Sequence, residues 1–477
     1  MCIRDRAQKA RGFESLPFRQ GNLDDGADVN DTPKLMVVVG TVMQTPTHRA
    51  LQVLDNVAVV VRDGVVDAVL PAVSREAVDA CGAADEVVHL SVRERLLPGL
   101  VDTHIHAPQW PQLGTGLDIP LERWLFDCTF PLEARYADAG FALDVWERMV
   151  PTLLAHGTTT AVYYSSIHED ATLRLAETCA HFGQRAFVGR VAMDHPEGTP
   201  EWYRDVDAAA GVAASARSVE AIRSLGSALV EPIITPRFIP ACTHELLLGL
   251  GDLAARTGAV VQTHCSESDW EHGYVIERYG KRDAEMLAEF GLVRRGTVLA
   301  HGDHLCDDDF DIIRTAGAGV AHCPLSNSYF ANAVFPLRRA QERGVHVGLG
   351  SDVSGGPLPG LLPQCQHAVT ASRMLEDGVD SARSPGERGV ANSRVDVVAA
   401  FHAATLGGAN MLGIPAGLIE PGRAFDAIVV NADSGDSGLH YWDGIDNEER
   451  LFEKIVRLAA PSDITSVWVA GRRVAGA

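Results

Sequence analysis

Lysine is scarce in this chain of 477 residues, and so are paired cysteine motifs. The lysines are Lys9, Lys34, Lys281 and Lys454, and none of the nine cysteines forms a CxxC pair with another. Scattered thiols without a disulfide or metal-binding spacing are typical of a reducing compartment. We therefore expect a cytoplasmic protein with free cysteines.

Basic charge and long apolar runs are lacking as well. The formal net charge is −22 at pH 7, which argues against nucleic acid or an anionic membrane as a partner, because phosphate binding needs a basic surface. No apolar run is long enough to cross a bilayer, and no secretory signal is visible. The composition, 46% hydrophobic and 22% charged, is that of a globular protein.

Short β-branched segments lie near both ends of the chain. We expect residues 1–33, which are polar and aperiodic in part, to be disordered or a non-native extension. The predicted strands are Leu35–Val39, Val57–Arg62, Val65–Leu70, Asp426–Asn431 and Val467–Val469. Asp63-Gly64 is a hairpin signal between two of them. These segments predict one small β-sandwich domain built from both ends, residues 34–96 and 411–477.

The middle of the chain alternates strand and helix. The predicted strands are Leu96–His106, Thr159–Ser165, Ala186–Met193, Leu229–Arg237, Val260–His264, Thr297–His301, Gly319–His322 and Val345–Gly350. Helical patterns between them include Phe141–His156, Ala171–Phe182, Glu245–Arg256, Asp307–Ala316 and Val334–Arg343. Eight such repeats favour an α/β fold, a (β/α)8 TIM-like barrel over residues 97–410, whose chemistry would lie at the carboxyl ends of the strands.

Histidines and a carboxylate follow these strands. His104 and His106 are spaced i, i+2, so that their side chains project to one side of the first barrel strand. His264 ends the fifth strand and Asp352 follows the eighth. Three imidazoles and one carboxylate suit Zn2+ or Fe2+ and leave a position for water. We predict a metal site formed by His104, His106, His264 and Asp352.

The scarcity of lysine bears on the number of ions. Binuclear hydrolases of this architecture bridge two metals with a modified lysine on a middle strand. Between His106 and Asp352 the only lysine is Lys281, in a charged stretch after the fifth strand. The sequence therefore predicts one ion per chain.

Three residues are candidates for catalysis. A metal lowers the pKa of its bound water to about 7, and addition of the resulting hydroxide to a ring carbon needs a proton donor to the ring nitrogen and a base. Glu267, three residues beyond His264, is the predicted donor. Asp352 is the predicted proton acceptor, and His301 would orient the hydroxide.

Several motifs, covering roughly residues 98–422, identify a family. They are PGLVDTHIH, the HxxE pair of His264 and Glu267, AHG around His301, and GLGSD ending at Asp352. The chain resembles the amidohydrolase superfamily and, within it, the guanine deaminases. The narrower resemblance rests on Pro108-Gln109, LERWL at 121–125 with TFP at 129–131, FGQRAFVG at 182–189, and TPRF at 235–238.

This resemblance implies metal-dependent hydrolysis of guanine to xanthine and ammonia, with zinc and with attack of metal-bound hydroxide on C2. Carried onto the matching positions, it implies that Gln109, Arg237 and Phe238 hold the purine base. A flat purine suits an aromatic face, a donor to its O6 and an amide at its ring edge. The alternative for Arg237 is a structural salt bridge at a strand end. A homodimer is the family expectation.

Other functions remain as alternatives. A related deaminase of the same barrel could act on 8-oxoguanine, cytosine or an aminotriazine, although the Gln109 and Arg237 segments favour guanine. A non-catalytic scaffold of the same fold would not need the metal ligands or Glu267. A deaminase of the cytidine-deaminase fold requires HxE followed by PCxxC. His195-Pro196-Glu197 is present, but the chain contains no PCxxC.

Overall fold

The computed structural model describes residues 32–433, 435 and 437–476. Of the segment predicted to be disordered or non-native, residues 1–31 lie outside the described residues. The described chain forms two sheets. One is a closed parallel barrel, and the other is a smaller sheet from both chain ends.

Eight parallel strands close the barrel, because the first pairs with both the second and the last. The barrel strands are β6 (Leu100–His106), β7 (Thr158–Tyr164), β8 (Arg185–Gly189), β10 (Val230–Pro236), β11 (Val260–Cys265), β12 (Val298–His301), β13 (Gly319–His322) and β14 (His346–Leu349), and the two-residue β9 (Val191–Ala192) pairs with β10. This arrangement confirms the predicted (β/α)8 barrel.

Most of the helices cover the barrel and its ends, and the first packs on the smaller sheet. They are α1 (Arg75–Ala83), α2 (Leu121–Trp124), α3 (Phe130–Glu133), α4 (Ala139–Ala155), α5 (Glu169–Phe182), α6 (Ala208–Ser224), α7 (His244–Thr257), α8 (Asp269–Tyr279), α9 (Asp283–Glu289), α10 (Asp307–Ala316), α11 (Pro324–Phe330), α12 (Leu337–Glu342), α13 (Leu362–Asp377), α14 (Val397–His402), α15 (Gly408–Leu412) and α16 (Glu448–Leu458). In α4, Trp146, Met149 and Leu153 recur at helical spacing and pack in one cluster with Tyr163 and Val188. Within the described chain, none of these helices is long and apolar enough to cross a membrane.

The segment predicted as one strand, Leu96–His106, is two strands in the structure. Its first part belongs to β5 (Glu94–Pro98), which lies in the smaller sheet, and its second part is β6 in the barrel. Gly99 separates the two strands. A Cβ on Gly99 would lie 2.3 Å from Thr159 Oγ1. The apolar run hides this change of sheet, because both strands are buried and hydrophobic.

The smaller sheet has eight strands and unites the chain ends, as predicted. Its remaining strands are β1 (Leu35–Thr47), β2 (Ala50–Arg62), β3 (Val65–Pro71), β4 (Glu86–His89), β15 (Ala427–Asn431), β16 (Ile464–Val469) and β17 (Arg472–Gly476). Met36, Val59, Phe425 and Trp468 share one buried cluster, so strands from both ends of the chain enclose the same core. The turn at Gly64 lies close to Ala470, between β16 and β17. A Cβ on Gly64 would lie 2.2 Å from the Ala470 carbonyl oxygen.

Candidate metal centre and active site

The predicted site residues meet at the carboxyl ends of the barrel strands. His104 and His106 lie in β6, His264 in β11 and His301 at the end of β12, while Asp352 follows β14 by three residues. All five side chains are buried. Asp102 joins two of these elements, because its Oδ1 accepts hydrogen bonds from the backbone N–H of Ser351 (2.9 Å) and of His104 (3.3 Å).

Four side chains converge at distances that suit one ion. The ligand atoms of His104, His106 and His264 all lie within 4.8 Å of one another. The Nε2 atoms of His106 and His264 are 2.9 Å apart, and Asp352 Oδ1 lies 3.1 Å from His104 Nε2 and 3.7 Å from His106 Nε2. Two ligand atoms about 2.1 Å from one tetrahedral ion are roughly 3.4 Å apart. The donor set therefore has the span of a single divalent ion.

The protonation of the histidines also fits a metal. Burial lowers the pKa values of His104, His106 and His264 well below the usual value for histidine. The neutral imidazole that results is the form that binds metals. His264 Nδ1 lies 2.5 Å from the Arg237 carbonyl oxygen, so this nitrogen donates and leaves a lone pair on Nε2. Within the described chain, neither ring nitrogen of His104 has a hydrogen-bond partner although both are buried. A bound cation would take the lone pair of one of these two nitrogens.

The backbone is strained at three residues of this site. Ser266, His301 and Asp352 have φ values of +52°, +74° and +48°, in the left-handed region that non-glycine residues rarely adopt. Such strain persists where the surrounding structure holds it and is common at functional sites. At His301 and Asp352 it occurs in residues that sequence analysis assigned to catalysis.

The three predicted catalytic residues lie side by side. His301 Nε2 is 3.7 Å from Glu267 Oε1 and 3.9 Å from Asp352 Oδ2. Burial, reinforced by the Asp352 carboxylate, raises the pKa of Glu267 well above its usual range. Burial also raises the pKa of Asp352, whereas the positive charge of a protonated His301 would lower it. The surroundings of Glu267 thus favour its protonated form.

A residue that the sequence did not single out orients His301. Asn327, in α11, donates from Nδ2 to Asp303 Oδ1 (2.7 Å), which leaves its Oδ1 to accept from His301 Nδ1 (2.9 Å). The Nε2 atom of His301 therefore carries the lone pair and faces Glu267 and Asp352. No motif predicts Asn327, since it lies on a helix rather than at a strand end.

A cavity of about 370 Å3, including solvent at its mouth, is lined in part by the predicted metal ligands His106, His264 and Asp352. The predicted substrate residues Gln109, Arg237 and Phe238 all line it, together with Glu267. Its apolar lining comes from Phe238 and from four residues that sequence analysis did not assign: Leu121, Trp124, Leu125 and Phe330. The arrangement can hold a flat heterocycle between apolar side chains, with polar groups at its edge.

Arg237 also makes the salt bridge that was its alternative interpretation. Its Nη1 and Nη2 lie 2.6 Å and 3.1 Å from the two carboxylate oxygens of Glu133, and both side chains are buried. Glu133 follows the TFP motif by two residues, at the end of α3. Sequence analysis missed it because the motif contains no sign of a partner 104 residues away.

The comparisons with known proteins agree in one family. The profile described as the amidohydrolase family matches residues 95–474. The chain is 34% identical over 455 residues to a probable guanine deaminase of Schizosaccharomyces pombe, covering 92% of this chain and 83% of that protein. It is 36% identical over 401 residues to a guanine deaminase of Mus musculus, covering 83% of this chain and 86% of that protein.

A solved structure gives the same result. The fold is similar to that of a guanine deaminase from C. acetobutylicum with guanine bound in its active site, at a TM-score of 0.81 and 28% identity. The match covers 92% of this chain and 99% of that one.

Proposed function

This chain belongs to the amidohydrolase family and, within it, to the guanine deaminases, and on that premise we propose how its residues hydrolyse guanine to xanthine and ammonia. The observation that carries the proposal is the position of Gln109 and Arg237, which line a cavity beside the buried cluster of His106, His264 and Asp352. The polar edge of a purine and its reacting carbon would thus meet different parts of one site.

We assign the metal to His104, His106, His264 and Asp352. Three imidazoles and a carboxylate favour Zn2+, with Fe2+ as the other ion that suits this set. When bound, the ion lowers the pKa of a coordinated water toward neutrality. Lys281, the only lysine between His106 and Asp352, is half-buried and ion-pairs with Glu285 and Glu289, which supports one ion per chain.

Glu267 supplies a proton to the ring. C2 of guanine lies between N1, which carries hydrogen, and N3, which does not, so N3 is the nitrogen that must be protonated as water adds to C2. Burial raises the pKa of Glu267 and so favours the protonated form that a proton donor needs. Its carboxyl group lines the cavity, where it can reach the edge of a bound base.

Asp352 and His301 handle the attacking water. Asp352 accepts one proton from the attacking water and passes it to the leaving amino group, which departs as ammonia. The second proton of the water, left on the hydroxyl group at C2, returns to the Glu267 carboxylate as the carbonyl of xanthine forms. His301, with its lone pair on Nε2 fixed by Asn327, accepts a hydrogen bond from the water and directs it toward C2.

The base is held by polar and apolar contacts together. Arg237 offers only donors, which suits the O6 and N7 acceptors of guanine, while the Gln109 amide can donate and accept at the ring edge. Phe238 and Phe330 line the cavity for the faces of the base. For the assembled protein we expect a homodimer, on the basis of the family, in the cytoplasm, on the basis of the scattered cysteines.

A substrate panel tests the proposal. Purified protein is assayed for ammonia release with guanine, 8-oxoguanine, adenine, cytosine and an aminotriazine, and xanthine is identified as the product from guanine. A site built to hydrogen-bond its substrate rejects analogues lacking those groups by about 10⁴-fold, so kcat/KM for guanine should exceed that for adenine and cytosine by that order. A higher kcat/KM for 8-oxoguanine, cytosine or the aminotriazine would refute the assignment.

A further inference from the structure

Glu133 lies behind the cavity wall and receives four hydrogen bonds. It is fully buried and is not among the residues that line the cavity. Its Oε1 accepts from Gln109 Nε2 (3.0 Å) and Arg237 Nη2 (3.1 Å), and its Oε2 accepts from Arg237 Nη1 (2.6 Å) and Tyr203 Oη (3.0 Å). A carboxylate has about four acceptor positions, so its capacity is filled.

These contacts fix the orientation of Arg237. Both terminal nitrogens bind Glu133 in a two-pronged pair, and Cζ lies 4.9 Å from the centre of the Phe130 ring. A guanidinium has five N–H donors and no acceptor, and the pair with Glu133 uses two of them. Arg237 also lines the cavity, so it can offer a ligand hydrogen-bond donors but no acceptor.

The same carboxylate decides which way the Gln109 amide points. Gln109 donates from Nε2 to Glu133 and accepts at Oε1 from the Ser354 backbone N–H (3.2 Å). The flipped amide would place its oxygen against the Glu133 carboxylate and its NH2 group against the Ser354 N–H. Both contacts would be repulsive, so Glu133 selects one orientation.

We propose that Glu133 is a positioning residue that makes the pocket selective for 6-oxopurines, by holding Arg237 and Gln109 in the orientation that meets O6 and the neighbouring ring edge. The inference rests on the proposed function and extends it to a residue that touches no substrate. Its consequence is that the loss of Glu133 weakens recognition of the oxo group far more than the chemistry at C2.

The test compares guanine with 2-aminopurine, which keeps the reacting C2 amino group and lacks O6. Glu133→Gln preserves the side-chain shape but replaces one acceptor by a donor and removes the charge. A displacement of about 1 Å can cost 10²-fold in rate, so we expect kcat/KM for guanine to fall by about that factor, chiefly through KM. For 2-aminopurine the fall should be within about threefold, since the misplaced groups contact O6. Where turnover of 2-aminopurine is too slow, its inhibition constant against guanine replaces kcat/KM.

Asp205→Asn is the matched control for the loss of a buried ion pair. Asp205 pairs with Arg190, both side chains are buried, and neither lines the cavity. This variant should lower the melting temperature without changing the ratio between the two substrates. If Glu133→Gln lowers activity on both substrates by one common factor, Glu133 is only structural and the inference is wrong.

Tyr203→Phe provides a second variant in case Glu133→Gln does not fold. It removes one of the four donors to Glu133 and leaves the Arg237 pair intact. We expect a smaller decrease, specific to guanine, with 2-aminopurine unchanged; equal effects on both substrates would overturn the inference. Wild-type protein inactive on guanine would instead contradict the proposed function itself, so the two failures are distinguishable.

Discussion

At the scale of single residues, Glu267 is a buried carboxyl group of the cavity, and its Oε1 lies 3.7 Å from His301 Nε2. Glu267→Gln keeps the size of the side chain but cannot give a proton to a ring nitrogen. We expect it to keep fold and metal content and to lose about 10²–10⁴ in kcat, the usual contribution of general acid catalysis. Steady-state kinetics with guanine and elemental analysis of the same samples measure this.

Glu245→Gln is the matched control, because Glu245 is an exposed carboxylate at the start of α7. It should behave as the wild type. Near-normal kcat in Glu267→Gln would mean that another group protonates the ring.

Residues in strand-end motifs could be predicted, whereas their supporting partners could not. His104, His106 and His264 follow from alternation along strands and from their place in a regular βα pattern. Glu133 and Asn327 lie on short helices, and they reach the site only through contacts with residues distant in sequence. Patterns in a single sequence do not encode such pairings. The salt bridge of Arg237 could be identified only once Glu133 was found beside it.

At the scale of elements, the site depends on how closely β14 approaches β6. A Cβ at Gly350, just after β14, would lie 2.7 Å from His104 Cβ and 2.8 Å from Cys323 Sγ. Gly350→Ala should therefore displace His104, and we expect a lower metal content and lower activity in the folded protein. The measurement is metal per chain together with kcat/KM for guanine.

Gly82→Ala is the corresponding control. Gly82 lies in α1, where the structure places no described atom within 4 Å of an added Cβ. Replacing a helical glycine by alanine should stabilise the protein by about 0.5–1 kcal/mol and leave the metal content unchanged. Full metal content and activity in Gly350→Ala would show that the strand contact tolerates more space than the geometry indicates.

The elements themselves were largely visible in the sequence, and the errors have a physical cause. Helix α10 was predicted with the bounds that the structure has, because its apolar spacing and flanking residues are clear. The division of Leu96–His106 into β5 and β6 was missed, since a buried strand in either sheet gives the same apolar run. The strand pairings show where the chain changes sheets, because β5 pairs with β15 and β6 pairs with β7.

At the scale of the whole molecule, buried histidines couple stability to pH. Burial lowers the pKa of His322 to about 3, whereas in the unfolded chain it is about 6.5. The unfolded state therefore binds a proton below about pH 6.5 that the folded state excludes, and the free energy of unfolding decreases as pH falls from about 6.5 to 3. His322→Gln should show a smaller decrease across this window than the wild type does.

Urea unfolding between pH 7 and 4 measures the effect, as the difference in slope between variant and wild type. His89→Gln, at an exposed position in β4, should retain the wild-type slope. Identical slopes for His322→Gln and the wild type would mean that His322 does not contribute to the acid sensitivity.

We propose that one divalent ion, held by His104, His106, His264 and Asp352, makes this chain a guanine deaminase. The measurement is a titration of metal-free protein with Zn2+ or Fe2+ while xanthine formation from guanine is followed. We expect no activity without metal and a linear rise that stops at one equivalent per chain. A rise that continues to two equivalents, or xanthine formation by metal-free protein, would contradict it.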